Sequence, residues 1–137
     1  MDGYGYVAPG SVAEVLEVLS SSSNMGQITQ LLSGGSDVLV QMRMPSHQPR
    51  TIIDIKKLVE TNRLEVSGDE IYIGSAVSSA VMNEHLELQR AVPGLLEAAD
   101  LIGSTQIQGR ATICGNLCNA SPAGDSIPAL IAVAAVC

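Results

Sequence analysis

An α+β fold is predicted from three observations on the chain. A helix of clear periodicity lies between short apolar runs in the first 57 residues, an alternating apolar pattern suggests a hairpin near residues 64–73, and a helical stretch then leads into a long polar segment. Ser11 followed by Glu14 forms a capping-box pattern, and Val12, Val15, Leu16 and Leu19 recur at helical spacing, which predicts a helix over Val12–Ser22. The serine-rich "SSSSNMGQ" ends it. "ITQLL" (Ile28–Leu32) reads as a short buried strand that runs directly into a glycine pair. "VLVQMRM" is compatible with helix or strand, and "PSHQP" breaks it. "TIIDI" (Thr51–Ile55) reads as another buried strand, so residues 1–57 form a β-α-β-x-β unit.

From residue 58 the character changes. "LEV" and "IYIG" flank "SGDE", with Leu64 and Val66 alternating against Ile71 and Ile73, the pattern of a hairpin with one buried face. "SSAVMNEHLELQR" and "PGLLEAADLIG" are helical, with Pro93 at a start, Gly103 at an end, and Leu95, Ala98, Ala99 and Ile102 as the buried stripe. The stretch Ile102–Ser126 is too rich in Gly, Ser, Thr and Asn to be regular throughout. Its apolar anchors Ile107, Ile113 and Leu117 predict an ordered segment of functional kind. Asp125 or Ser126 is placed to cap a last helix, "IPALIAVAAV", expected to run to the final residue.

Composition narrows the function. With 137 residues and 46% hydrophobic content the chain can bury a core, but it has no Phe or Trp and three tyrosines, so Val, Ile, Leu, Ala and Met must fill it. A net charge of -7 with seven Lys plus Arg argues against nucleic acid or an anionic membrane surface as partner. Any bound phosphate must therefore rest on backbone amides. The start "MDGYGYVAPG" lacks the marks of a signal peptide, and no apolar run approaches the roughly 20 residues of a membrane span, so a cytoplasmic location is expected. Cys114, Cys118 and Cys137 match neither a disulfide framework nor the usual zinc or iron-sulfur spacings, and are read as reduced packing thiols with no metal site. His47 and His85 stand alone, and Lys56 and Lys57 read as solvated cations.

Two segments carry chemistry. "LLSGGSDVL" follows a strand with consecutive glycines, which either make a turn of positive φ or bare several N-H groups for a phosphate; from the pair alone the turn reading leads. It is neither a P-loop nor a Rossmann fingerprint. "TICGN" precedes a cluster of Asn116, Asn119, Ser121 and Asp125, stiffened by Pro122, which suits either a polar surface loop or hydrogen bonds to sugar hydroxyls and a heterocycle edge. No G-x-S-x-G elbow surrounds Ser36 or Ser121, and no catalytic acid or base is assigned.

Taken together, "LLSGGSDVLV" and "IGSTQIQGRATICGNLCNASPAGDSIPAL", with "YVAPGSVAEVLEVL", "TIIDI" and "IYIGSAVS" in order, resemble the FAD-binding subunit of the molybdenum hydroxylases, the family of xanthine dehydrogenase and carbon monoxide dehydrogenase medium subunits. The resemblance covers nearly the whole chain. It implies a flavoprotein domain of the vanillyl-alcohol-oxidase type with two α/β subdomains, here 1–57 and 58–137, the second incomplete because family members continue past Cys137. It implies FAD as cofactor, with the backbone of Ser33, Gly34, Gly35, Ser36 and Asp37 around the pyrophosphate. Thr112, Cys114, Gly115 and Asn116 match the second flavin loop, and Asn119, Ser121 and Asp125 match further flavin contacts. Asp37 is expected to cap the following segment or bind a hydroxyl.

The implied function is electron transfer from iron-sulfur clusters through FAD to NAD+ or another acceptor, beside an iron-sulfur subunit and a molybdopterin-containing large subunit. Two departures stand out: Cys114 replaces one of the usual two glycines, and "QIQG" stands where "QIRN" is common. The altered glycine, together with the apolar run that ends the sequence at Cys137, motivates an alternative from another class, a shortened interaction domain that binds no flavin.

Overall fold

The computed structural model of the protein describes residues 4–44 and 50–137. The stretch "PSHQP" and with it His47 lie outside the described residues. Strand β1 (Tyr4–Val7), helix α1 (Val12–Asn24), strand β2 (Ile28–Leu32), the single-turn helix α2 (Val38–Gln41) and strand β3 (Arg50–Asp54) make the first unit. Its sheet is parallel in the order β1-β3-β2, with Ile53 of the central strand opposite Val7 on one side and Leu31 on the other. Parallel strands need crossovers, and α1 supplies the one between β1 and β2.

Helix α1 begins as its sequence predicts, with Ser11 Oγ accepting from Glu14 N at 3.2 Å. Glu14 returns a carboxylate to Gly10 N at 2.8 Å, one residue outside the usual box. The helix continues two residues past Ser22 before Gly26, at φ +65°, turns it away. The buried stripe is rotated from expectation: Val15 is buried and packs with Val18, Leu19, Ile53, Ile55 and Leu58, whereas Val12 and Leu16 are exposed. Lys56 is not free, since its Nζ lies 2.6 Å from Asp54 Oδ2. Tyr6 donates its hydroxyl to the same oxygen at 2.7 Å.

The second part opens with an antiparallel hairpin, β4 (Leu64–Ser67) and β5 (Glu70–Ile73), in the register Leu64 opposite Ile73 and Val66 opposite Ile71. Six short helices follow: α3 (Ser79–Glu84), α4 (Leu86–Ala91), α5 (Pro93–Asp100), α6 (Thr105–Gln108), α7 (Ile113–Cys118) and α8 (Ser126–Ala132). What reads as one helix from Ser78 is broken at His85, which leaves the helical region and accepts Leu88 N on its Nδ1 at 3.4 Å to start α4. The histidine is thus a cap. A separate core of Val77, Met82, Leu88, Leu95, Leu96, Ala99 and Ile113 gathers the inner faces of the helices and the hairpin. Leu96 takes the buried place expected of Ala98. Ile107, expected as an anchor, is 39% exposed.

Helix α8 stops at Ala132 and does not reach the last residue. Ala134 adopts φ +52°, and the N-H groups of Ala134 and Ala135 return to Ile131 O and Leu130 O, a helix-ending pair of bonds. Among the described residues no helix is long and apolar enough to cross a membrane.

A cleft between two glycine loops

At the carboxyl end of β2 the buried Leu32 anchors the chain, and Ser33–Asp37 leaves the sheet as a loop before α2. Parallel α/β units leave such strand ends open to solvent, which makes them usual places for a ligand. Seventy-nine residues beyond Ser33, Thr112 caps α7 by accepting Gly115 N at 2.9 Å. The loops face one another across a cleft of about 420 Å³. Ser33, Gly34, Gly35, Ser36 and Asp37 line it from one side, and Thr112, Cys114, Gly115, Asn116 and Asn119 from the other.

Serine and threonine hydroxyls join the walls. Ser33 Oγ gives its one hydrogen to Ser75 O, so at 3.0 Å it is Thr112 Oγ1 that donates to Ser33. The result is a continuous relay from Gly115 N-H through Thr112 and Ser33 to the Ser75 carbonyl. Arg110 adds a second tie, its Nε donating to Gly34 O at 3.1 Å. The backbone there is so close that a Cβ on Gly34 would sit 2.0 Å from Arg110 O. Gly35 has φ +81°, the left-handed region, which is the turn the sequence allows for. The two readings of the glycine pair therefore coexist: Gly35 makes the turn and Gly34 the close approach.

This loop also bares its amides. Among the described residues the N-H groups of Gly34, Gly35, Ser36 and Asp37 have no protein acceptor, and the residues that carry them line the cleft. Successive free N-H groups in a concavity suit an anion. Among the described residues Asp37 is the one charged side chain on the lining, and it is exposed. It occupies the N-cap position of α2 yet makes no capping bond, so the expected cap is absent.

Cys114 is half-buried, whereas Cys118 and Cys137 are exposed and do not serve as packing thiols. Burial first, and then the neighbouring Cys118, pushes the Cys114 thiol up to about 11, so at neutral pH the cleft meets a neutral sulfhydryl. No cluster of His, Cys, Asp or Glu suited to a metal exists among the described residues.

Two expected site residues stand apart from the lining. After α7 the chain turns at Ala120, φ +52°, and leaves the cleft. Ser121 Oγ instead accepts Ala123 N at 3.3 Å, and Asp125 is exposed at the start of α8 without capping it. Neither Asp125 nor Ser126 satisfies that helix start with its side chain; Asn116 Oδ1 accepts Ser126 N from across the turn.

Sequence reasoning missed Gln30, Gln41 and Ser75, all of which line the cleft. Gln30 Oε1 accepts from Arg50 Nη1 at 2.9 Å. For Ser75 no local signal exists, because its role is played by a carbonyl.

The whole chain was compared with known proteins. Residues 2–137 match the family model described as the FAD binding domain in molybdopterin dehydrogenase. The xanthine dehydrogenase FAD-binding subunit of Escherichia coli O157:H7 is 33% identical over 132 residues, 95% of this chain and 44% of that protein. The carbon monoxide dehydrogenase medium chain of Hydrogenophaga pseudoflava is 32% identical over 96% of this chain and 45% of its own length. A solved structure of carbon monoxide dehydrogenase from that organism, lacking the Mo-pyranopterin moiety of its molybdenum cofactor, superposes with a TM-score of 0.77 at 31% identity, covering 87% of this chain and 40% of that one. The chain thus spans less than half the length of these relatives.

Proposed function

The chain belongs to the family of FAD-binding domains of molybdopterin dehydrogenases, and on that premise we propose that it forms the FAD site of a xanthine dehydrogenase-like molybdenum hydroxylase. The observation that carries this reading is the meeting of the two glycine loops on one cleft. Among the described residues, four unpartnered N-H groups and a lining with one charged side chain fit a pyrophosphate held by backbone. About 420 Å³ is within the range of small-ligand sites, roughly 300–1,000 Å³.

When bound, FAD supplies the transfer of electrons from the iron-sulfur clusters of the complex to NAD+ or another acceptor. The protein's own part is positional. Ser33–Asp37 would hold the pyrophosphate oxygens on their amides, and Thr112, Cys114, Gly115, Asn116 and Asn119 would border the remainder of the cofactor. Ser121 and Asp125 have weaker support, because they lie off the cleft lining. A boundary between subdomains at 57/58 is part of the same proposal; two separate hydrophobic clusters support a division there, with Leu58 still packed in the first of them. An iron-sulfur subunit and a molybdopterin-containing large subunit as partners, and a cytoplasmic setting for the complex, belong to the proposal too.

The test is titration of the purified 137-residue chain with FAD, followed by quenching of flavin fluorescence and by competition with ADP. Saturable binding that ADP weakens is expected. A chain that takes up no FAD would overturn the proposal and favour the flavin-free interaction domain.

A further inference from the structure

Asn116 lines the cleft with one end of its carboxamide already committed. Its Oδ1 accepts the backbone N-H of Ser126 at 3.3 Å and the Ser126 hydroxyl at 2.7 Å. Ser126 is fully buried, 0% exposed. A backbone N-H can only donate, so the atom facing it must be the amide oxygen, and the flipped amide would set donor against donor. The nitrogen is consequently the free end, and among the described residues Nδ2 has no protein acceptor. Gly124 keeps the space open, since a Cβ there would lie 2.8 Å from Ile127 Cδ1 and 3.3 Å from Asn116 Oδ1.

We infer that Ser126 is a positioning residue that fixes the Asn116 carboxamide, so that this point of the cleft offers N-H donors only and selects an acceptor oxygen or nitrogen on the bound cofactor. The inference rests on the FAD reading above and adds to it a direction: a bound group with a donor at this point is refused. An unpinned asparagine would rotate and accept either kind. Pinning also spares the cofactor the entropy of ordering that side chain when it binds.

The experiment compares the wild-type chain with Asn116→Asp, Ser126→Ala and the double variant, by FAD titration and thermal melting. Asn116→Asp keeps an acceptor for Ser126 and replaces the two free donors with an anionic oxygen. It is expected to melt within a few degrees of wild type and to weaken FAD at least tenfold. Ser126→Ala keeps the backbone bond but drops the hydroxyl, and about a threefold weakening is expected. In the Asn116→Asp background, where no donor remains to be aimed, Ser126→Ala should change FAD affinity no further, an outcome that a merely structural role would not give.

Parallel titrations with ADP and with FMN separate the two acceptor sources: loss shared by ADP places the acceptor on the pyrophosphate, and loss confined to FMN and FAD places it on the flavin. Equal FAD affinity in wild type and a folded Asn116→Asp overturns the inference alone. If Asn116→Asp does not fold, additive effects of Ser126→Ala and Asn116→Ala overturn it. A wild-type chain that binds no FAD overturns the FAD reading and this inference with it.

Discussion

The hydroxyl oxygens of Ser33 and Thr112 lie 3.0 Å apart, joining loops that are 79 residues apart in sequence. Thr112 is 3% exposed and spends both hydrogen-bonding faces internally, accepting Gly115 N and donating to Ser33. Thr112→Val keeps the shape and removes both bonds. A helix cap and a part-buried hydroxyl pair are worth about 1–2 kcal/mol together, and urea unfolding of the variant should show that loss. Ser33→Ala should cost about 1 kcal/mol by leaving Ser75 O without its donor. Because the hydroxyls share one bond, the double variant should lose less than the sum; strict additivity would mean that the relay is not a unit.

The two adjacent glycines should respond differently to alanine. Gly34→Ala drives a methyl into the Arg110 carbonyl, where no flexible side chain can give way, and about 3 kcal/mol of stability should be lost. At Gly35 the neighbour is the Leu32 side chain at 3.3 Å, and the cost is the φ of +81°, on the order of 1–2 kcal/mol. Asparagine should be better tolerated than alanine at 35 and not at 34. Chemical denaturation of the four variants checks the ranking.

Cysteine reactivity should separate along α7. With its thiol pushed up to about 11, Cys114 should resist iodoacetamide at pH 7.5, while the exposed Cys118 and Cys137 react. Peptide mass mapping after timed alkylation reads this directly. An unfolded thiol titrates near about 8.5, below the folded value, so the neutral thiol's contribution to stability is complete below that pH. It should decline as pH rises from there through about 11, and Cys114→Ser should flatten that alkaline decline.

At the sheet, burial pushes the Asp54 carboxyl up, but hydrogen bonds from the Lys56 side chain and backbone and from Tyr6 outweigh it and hold the group below the usual carboxylate range. Its folded value is below its unfolded one, so its stabilising effect is present above about pH 3.9 and is lost as the pH falls through the folded value. Tyr6, donating to Asp54, is raised above its ordinary value of about 10. Asp54→Asn should return Tyr6 toward that value in an ultraviolet titration and soften the acid unfolding transition. An unmoved tyrosine titration would show that the bond does not persist in solution.

Much of the fold is legible in local chemistry. The Ser11 cap, the alternation of Leu64, Val66, Ile71 and Ile73, and Pro93 at a helix start each describe neighbours in sequence, and each element forms where those signals place it. The errors lie where a distant contact overrides a local one. Asp125 looks like the natural cap for α8, but Asn116 reaches Ser126 first; Asp37 holds a cap position and faces solvent. Ser121 and Asp125 belong to the same polar cluster as Asn116 in sequence, yet one residue of positive φ, Ala120, directs them elsewhere.

By itself the sequence determined the α+β class, the strands and the helices α1 and α5, because helical and strand periodicities act over a few residues; the pairing of the two glycine-bearing loops rested on the family resemblance. The tertiary structure alone decided that Gly34 packs on Arg110, that the hydroxyls of Thr112 and Ser33 meet, and that Asn116 Oδ1 is held by Ser126. Those are properties of distance between residues 10 to 79 positions apart, and such distances are set only when the sheet and the helical layer are packed.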